Sequence, residues 1–101
     1  MTTLDTDFLA GHDLAVYAAK WCPDCTRLKR WLAGTKIDVR EVDIEAVDGA
    51  AEKLEEETGK RAIPFVLVDG KRWVRGYHKE LATRFDPALF LTELRSAIGS
   101  R

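Results

Sequence analysis

Two β-rich runs flank Asp69-Gly70 in the stretch IPFVLVDGKRWVRG, residues 63–76, and this pattern limits the fold more than any other in the chain. Asp-Gly supplies the positive φ angles of a tight hairpin turn, so two adjacent antiparallel strands are expected there. Upstream, LAVYA at 14–18 is a nearly continuous apolar run suited to a strand buried on both faces. From Pro23 the periodicity becomes helical. Leu28, Trp31 and Leu32 recur at i, i+3, i+4, Arg27, Lys29 and Arg30 are left for solvent, and Gly34 marks the end. KIDVREVDI (36–44) reads as a second strand, with Arg40, Val42 and Ile44 on one face and Ile37 and Val39 on the other. A strand–helix–strand crossover makes a parallel pair, and the hairpin adds antiparallel strands. The expected class is therefore α/β, a four-stranded mixed sheet with helices on both faces.

Three further segments complete the order. EAVDGAAEKLEEETG (45–59) reads as a helix with Val47, Ala50, Ala51 and Leu54 inward, its start weakened by Gly49. Asp86-Pro87 opens a last helix as cap plus first-turn proline, with Leu91, Leu94, Ala97 and Ile98 as its apolar stripe. Residues 78–84 read as a separate short helix. Residues 1–13 carry no clear signal beyond a single turn through Phe8 and Leu9 that Thr6 would cap. At 101 residues the chain has the length of one domain, with its core over 14–98. Its 46% apolar content suffices for that core, and a formal net charge of −1 gives no global pull toward nucleic acid or an anionic membrane. No apolar run approaches the roughly 20 residues of a membrane-spanning helix. The first residues lack the basic and apolar regions of a secretory signal. A monomer in the cytoplasm is the expectation.

The two cysteines, Cys22 and Cys25, stand where the first strand gives way to the first helix. A disulfide stabilises by closing a loop of the unfolded chain, and this pair closes almost none, so a bond here would serve chemistry rather than stability. Cys22 falls at or just before the helix N-terminus, with Pro23 at the first helical position. Free N–H groups, the helix dipole and nearby Lys20 all favour a thiolate, and such settings bring a cysteine pKa from about 8.5 into roughly 3.5–7.5. Cys25 lies one turn deeper, better placed to resolve a mixed disulfide than to start one. Asp24 opposes the trend as a carboxylate beside the thiolate. A structural zinc site needs four ligands, and only His12 and His78 could join the cysteines, neither at ligand spacing. Cys-x-x-Cys beside a βαβ pattern points instead to dithiol–disulfide exchange; a pair of buried, inert cysteines is the plain alternative.

Four stretches in order give a closer resemblance, running from about Leu14 to Leu81. AKWCPDC, REVDI, TGKRAIPFVLVDG and WVRGYHKEL are similar to the active site, second strand, third strand and following loop of the glutaredoxins, within the thioredoxin superfamily. The resemblance implies a thioredoxin fold and a thiol–disulfide oxidoreductase acting on protein or mixed disulfides. It also implies a cis bond before Pro64, with Ile63 beside the cysteines and its backbone groups free to pair with substrate. Trp21, Ile63 and Pro64 would then shape the docking surface, Lys20 and Arg61 grip the carboxylates of a tripeptide thiol, and Gly76, Tyr77 and His78 frame the groove. Glutathione or another small thiol would be co-substrate, with no tightly bound cofactor.

The chain departs from the family pattern at three places. Asp24 replaces the usual tyrosine, Trp21 is more like thioredoxin, and the Gly-Gly of the glutathione site is missing. Arg75–Glu80 is more similar to the glutaredoxin-like electron donors of ribonucleotide reductase, which thioredoxin reductase recharges. A donor of that kind, an iron–sulfur module sharing glutathione between subunits, and a redox-switched adaptor are the alternatives. Basic residues predominate in 20–40 and 60–84 and acidic ones in 41–57, so a basic rim around the cysteines would steer acidic partners.

Overall fold

The structure, a computed structural model, describes residues 6–99. Its strands are β1 (Leu14–Ala18), β2 (Arg40–Asp43), β3 (Phe65–Val68) and β4 (Arg72–Arg75), and its helices α1 (Pro23–Ala33), α2 (Ala50–Thr58) and α3 (Pro87–Gly99). The sheet order is β2-β1-β3-β4. β1 runs parallel to β2, with Ala15 opposite Arg40, and antiparallel to β3, with Tyr17 opposite Phe65. β3 and β4 form the hairpin. Asp69 and Gly70 sit at φ 54° and 69°, and the Lys71 N–H donates to the Val68 carbonyl at 3.0 Å to close the turn.

Alternation along β1 divides the interior. Leu14, Val16 and Ala18 face α1 and α3, where Leu28, Leu32, Phe90, Leu91 and Leu94 meet Val66, Val68 and Val74. Ala15 and Tyr17 face the other way, toward Ala50 and Leu54 of α2, Phe65, Leu67 and Tyr77. A strand buried on both faces needs a helical layer on each side, and the mixed sheet between two layers matches the expected class.

Four local expectations are corrected. β2 is shorter than 36–44: in the parallel register that sets Ala15 opposite Arg40, residues 36–38 fall before the start of β1, although Ile37 and Val39 still pack on the α1–α3 side. The second helix starts at Ala50 and not at Glu45, since Gly49 at φ 80° breaks the helical phase. Val47 is therefore left 49% exposed instead of facing inward. Residues 78–84 are not a helix but two turns, closed by Leu81 N–H to His78 O and Arg84 N–H to Leu81 O. In the N-terminal segment Asp7–Leu9 makes one 3₁₀ turn and buries Leu9, but the Thr6 side chain makes no cap bond; residues 1–5 lie outside the described residues.

Gly76, just past β4, is where three elements meet. Its N–H donates to the Pro64 carbonyl at 2.9 Å. A Cβ there would lie 2.6 Å from Leu28 Cδ2, 3.1 Å from Pro64 Cγ and 3.2 Å from Pro64 O. Leu28 is fully buried and Pro64 is held in its ring, so neither yields easily. Overpacking of this kind costs about 1–3 kcal/mol. Gly76→Ala is expected to lower the urea unfolding midpoint accordingly; an unchanged midpoint would show that α1 can move aside.

Candidate active site

The corner between β1 and α1 carries the cysteines. Cys22 is the N-cap of α1, extended at φ −91° and ψ 115°, and Pro23 is the first helical residue. The Cys25 N–H donates to Cys22 Sγ at 3.1 Å, so the sulfur fills the capping role usually taken by a serine or aspartate oxygen. A thiolate accepts such a bond better than a thiol. The Cys25 N–H in the first turn of α1 thus points at the atom where negative charge would gather.

Both cysteines are buried, Cys25 completely so. Burial is the main cause that pushes the Cys25 thiol up to about 12, and its contact with Cys22 adds to it. At neutral pH Cys25 is a protonated thiol behind the outer sulfur. On the opposite side, Cys22 Sγ lies 3.9 Å from the Ile63 carbonyl oxygen, and the Ile63–Pro64 bond is cis. Trp21, 65% exposed, stands beside a shallow pocket of about 400 Å³ that it forms with Cys22, Pro23, Thr26, Arg27 and Arg30. A larger groove of about 740 Å³ runs along β4 between α2 and α3 and touches neither cysteine.

Asp24 is not a bare carboxylate. Arg84 grips it with two bonds, Nε to Oδ1 at 3.0 Å and Nη2 to Oδ2 at 2.6 Å, and Arg27 adds a third. The Arg84 contact, above all, holds the Asp24 carboxyl below the usual carboxylate range. Arg84, 60 positions away, belongs to the basic stretch expected to rim the cysteines, but nothing in the sequence pairs it with Asp24.

The remaining candidates are dispersed. Lys20 is exposed on the same corner, and Arg61 is paired with Glu55 at 2.8 Å beside α2. Gly76 is packed under Pro64, as described. Tyr77 is buried against Phe65, ring centroids 5.8 Å apart. His78 does not frame a groove: it is fully buried, stacked on Phe85, and its Nδ1 accepts the Asp86 N–H at 3.1 Å. A solvent-facing placement fails because the turns after Gly76 fold the ring under the start of α3. Among the described residues no group of three or more His, Cys, Asp and Glu is placed to hold a metal ion.

The family model for glutaredoxin matches residues 14–73. The chain belongs to the glutaredoxin family, whose members are thiol oxidoreductases. Among curated relatives, a glutaredoxin of Ricinus communis is 34% identical over 73 residues, covering 68% of this chain and 71% of that protein. The chloroplastic glutaredoxin-C4 of Oryza sativa is 29% identical over 68 residues, 64% of this chain; that match spans about half, 51%, of the rice protein. A thioredoxin-like protein superposes with a TM-score of 0.60 at 24% identity, covering 81% of this chain and 99% of its own. The buckwheat glutaredoxin–glutathione complex gives 0.52 at 22% identity, covering 59% and 57%. At those identities the two structures speak for the thioredoxin-like fold alone.

The different surroundings of the two sulfurs give a direct expectation. At about neutral pH, iodoacetamide should modify Cys22 first. Cys25 in the Cys22→Ser protein should react only as the pH is raised far above neutral, because deprotonation, and with it nucleophilicity, comes with rising pH. Peptide mass mapping that found the first adduct on Cys25 would contradict this order.

Proposed function

We propose that the protein is a dithiol–disulfide oxidoreductase that reduces protein disulfides or mixed disulfides through Cys22 and Cys25. The observation that carries the reading is the asymmetry of the pair, one sulfur capping α1 beside the exposed Trp21 surface and the other sealed behind it as a neutral thiol. The Cys22 thiolate attacks one sulfur of the target disulfide. The target S–S bond breaks, a bond to Cys22 forms, and the released thiolate takes up a proton. Cys25 then gives up its proton, and its sulfur attacks Cys22 and expels the second thiol. Two electrons pass from the dithiol to the target, and a Cys22–Cys25 bond remains for a reductant to reopen.

Pro23, Thr26, Arg27 and Arg30 form the docking surface with Trp21, and the Ile63 carbonyl lies next to the attacking sulfur. A small thiol such as the glutathione held by buckwheat glutaredoxin is one proposed reductant. Of the residues expected to hold such a tripeptide, Arg61 is in an ion pair and Gly76, Tyr77 and His78 face the interior. That placement, with the exposed Trp21, favours a second reading in which a thioredoxin reductase recharges the protein as an electron donor. Exchange chemistry of either kind suits a reducing compartment, and the cytoplasm is the location we propose.

NADPH consumption in two parallel reactions separates the readings. With glutathione and glutathione reductase, turnover of a small disulfide supports a glutaredoxin-type cycle. With thioredoxin reductase alone, turnover supports the donor. Cys22→Ser should abolish either; persistence of full activity in that variant would rule the assignment out.

A further inference from the structure

Asp24 lies between the two cysteines in sequence, and a carboxylate there disfavours the anion that the exchange reaction needs. The molecule answers it with an arginine from far along the chain. Arg27, one turn on in the same helix, is a neighbour that any helix offers at i+3. Arg84 is different. It reaches Asp24 from the turns between β4 and α3 and matches both carboxylate oxygens with its fork. The Asp24 side chain is only 17% exposed in this grip.

The backbone of Arg84 points the same way. It sits at φ 61°, in the left-handed region that residues with a Cβ enter rarely and glycine enters freely. Its N–H is bound to Leu81 O at 3.0 Å, and its carbonyl accepts the His78 N–H at 2.7 Å, so the conformation is held from both sides. If only the turn mattered, glycine would serve better. The strained residue is one whose side chain lands on the active-site carboxylate, and strain of this kind concentrates where a side chain is needed.

We propose that Arg84 is a positioning residue for Cys22: by clamping and neutralising Asp24 it keeps that carboxylate from opposing the Cys22 anion. This deepens the dithiol reading and rests on it. The clamp acts through Asp24, which separates it from a cation that merely sits near the sulfur. It also ties the turns at 78–84 to the first turn of α1.

The test is the pH profile of Cys22 alkylation by iodoacetamide in the intact, reduced protein, for wild type, Arg84→Gly, Arg84→Lys, Asp24→Asn and the Asp24→Asn/Arg84→Gly pair. In Arg84→Gly, whose backbone suits the left-handed site, alkylation at neutral pH should slow by about three- to tenfold and the profile should move to higher pH. The plateau rate at high pH should be kept, which a merely structural defect would not guarantee. Arg84→Lys should retain most of the reactivity. In the Asp24→Asn background, Arg84→Gly should change the profile much less. Identical profiles for wild type and Arg84→Gly, or an equal shift in both backgrounds, would overturn the proposal. Should Arg84→Gly fail to fold, Arg84→Gln carries the same test: slower alkylation at neutral pH with the plateau kept supports the clamp, and a profile identical to wild type contradicts it. Alkylation needs neither substrate nor reductase. A protein that shows the shift but turns over no disulfide would thus refute the oxidoreductase reading and leave the clamp standing.

Discussion

The close approach of Gly76 to Pro64 and Leu28 is the contact on which the rest of the site depends. It brings the end of β4, the entry to β3 and the inner face of α1 within van der Waals distance at one point, and the Gly76–Pro64 hydrogen bond holds the two backbones together. Cys22 caps the helix to which Leu28 belongs, and Ile63 precedes the proline, so this packing fixes how far the sulfur lies from the Ile63 carbonyl. A side chain at position 76 would wedge the helix away from the loop. The missing side chain therefore serves as a spacer of zero thickness between α1 and the loop before β3.

Charge is organised by the same segments. Of the basic residues expected to rim the cysteines, several are spent on the fold. Arg75 bridges Glu80 and Glu93 and thereby anchors the turns after β4 to α3, Lys29 pairs with Glu41, and Arg27 and Arg84 share Asp24. What the corner keeps on its surface is Lys20 and Arg30 beside Trp21. That is a small basic patch with an aromatic at its edge. His78 belongs to the interior of this arrangement, its Nε2 3.7 Å from Glu93 Oε1.

The elements with strong local signals were legible in the sequence. Asp69-Gly70 names its own turn, LAVYA reads as a doubly buried strand, and Asp86-Pro87 opens α3, with Asp86 Oδ1 accepting the Ala88 N–H at 3.1 Å. The cysteine pair was legible for the same reason: strand, corner and helix start are local. What was hidden depends on contacts distant in sequence. How much of 36–44 becomes strand depends on where β1 begins, 22 positions before the run starts. The inward turn of Tyr77 and His78 depends on how the chain must fold back to reach Pro87. The pairing of Arg84 with Asp24 was hidden, since a guanidinium that meets a carboxylate through a left-handed turn leaves no periodicity behind. Val47 is the opposite case: its spacing is helical, but Gly49 breaks the phase and leaves it outside α2.

The central claim is that Cys22 attacks and Cys25 resolves. The most direct measurement traps the intermediate: reduced Cys25→Ser protein is mixed with oxidised glutathione, and the adduct is mapped by mass spectrometry beside wild type. Expected are a stable glutathione adduct on Cys22 in the variant, and in wild type a Cys22–Cys25 disulfide with two glutathione thiols released. A stable adduct on Cys25 in wild type, or no reaction at Cys22 in either protein, would contradict it.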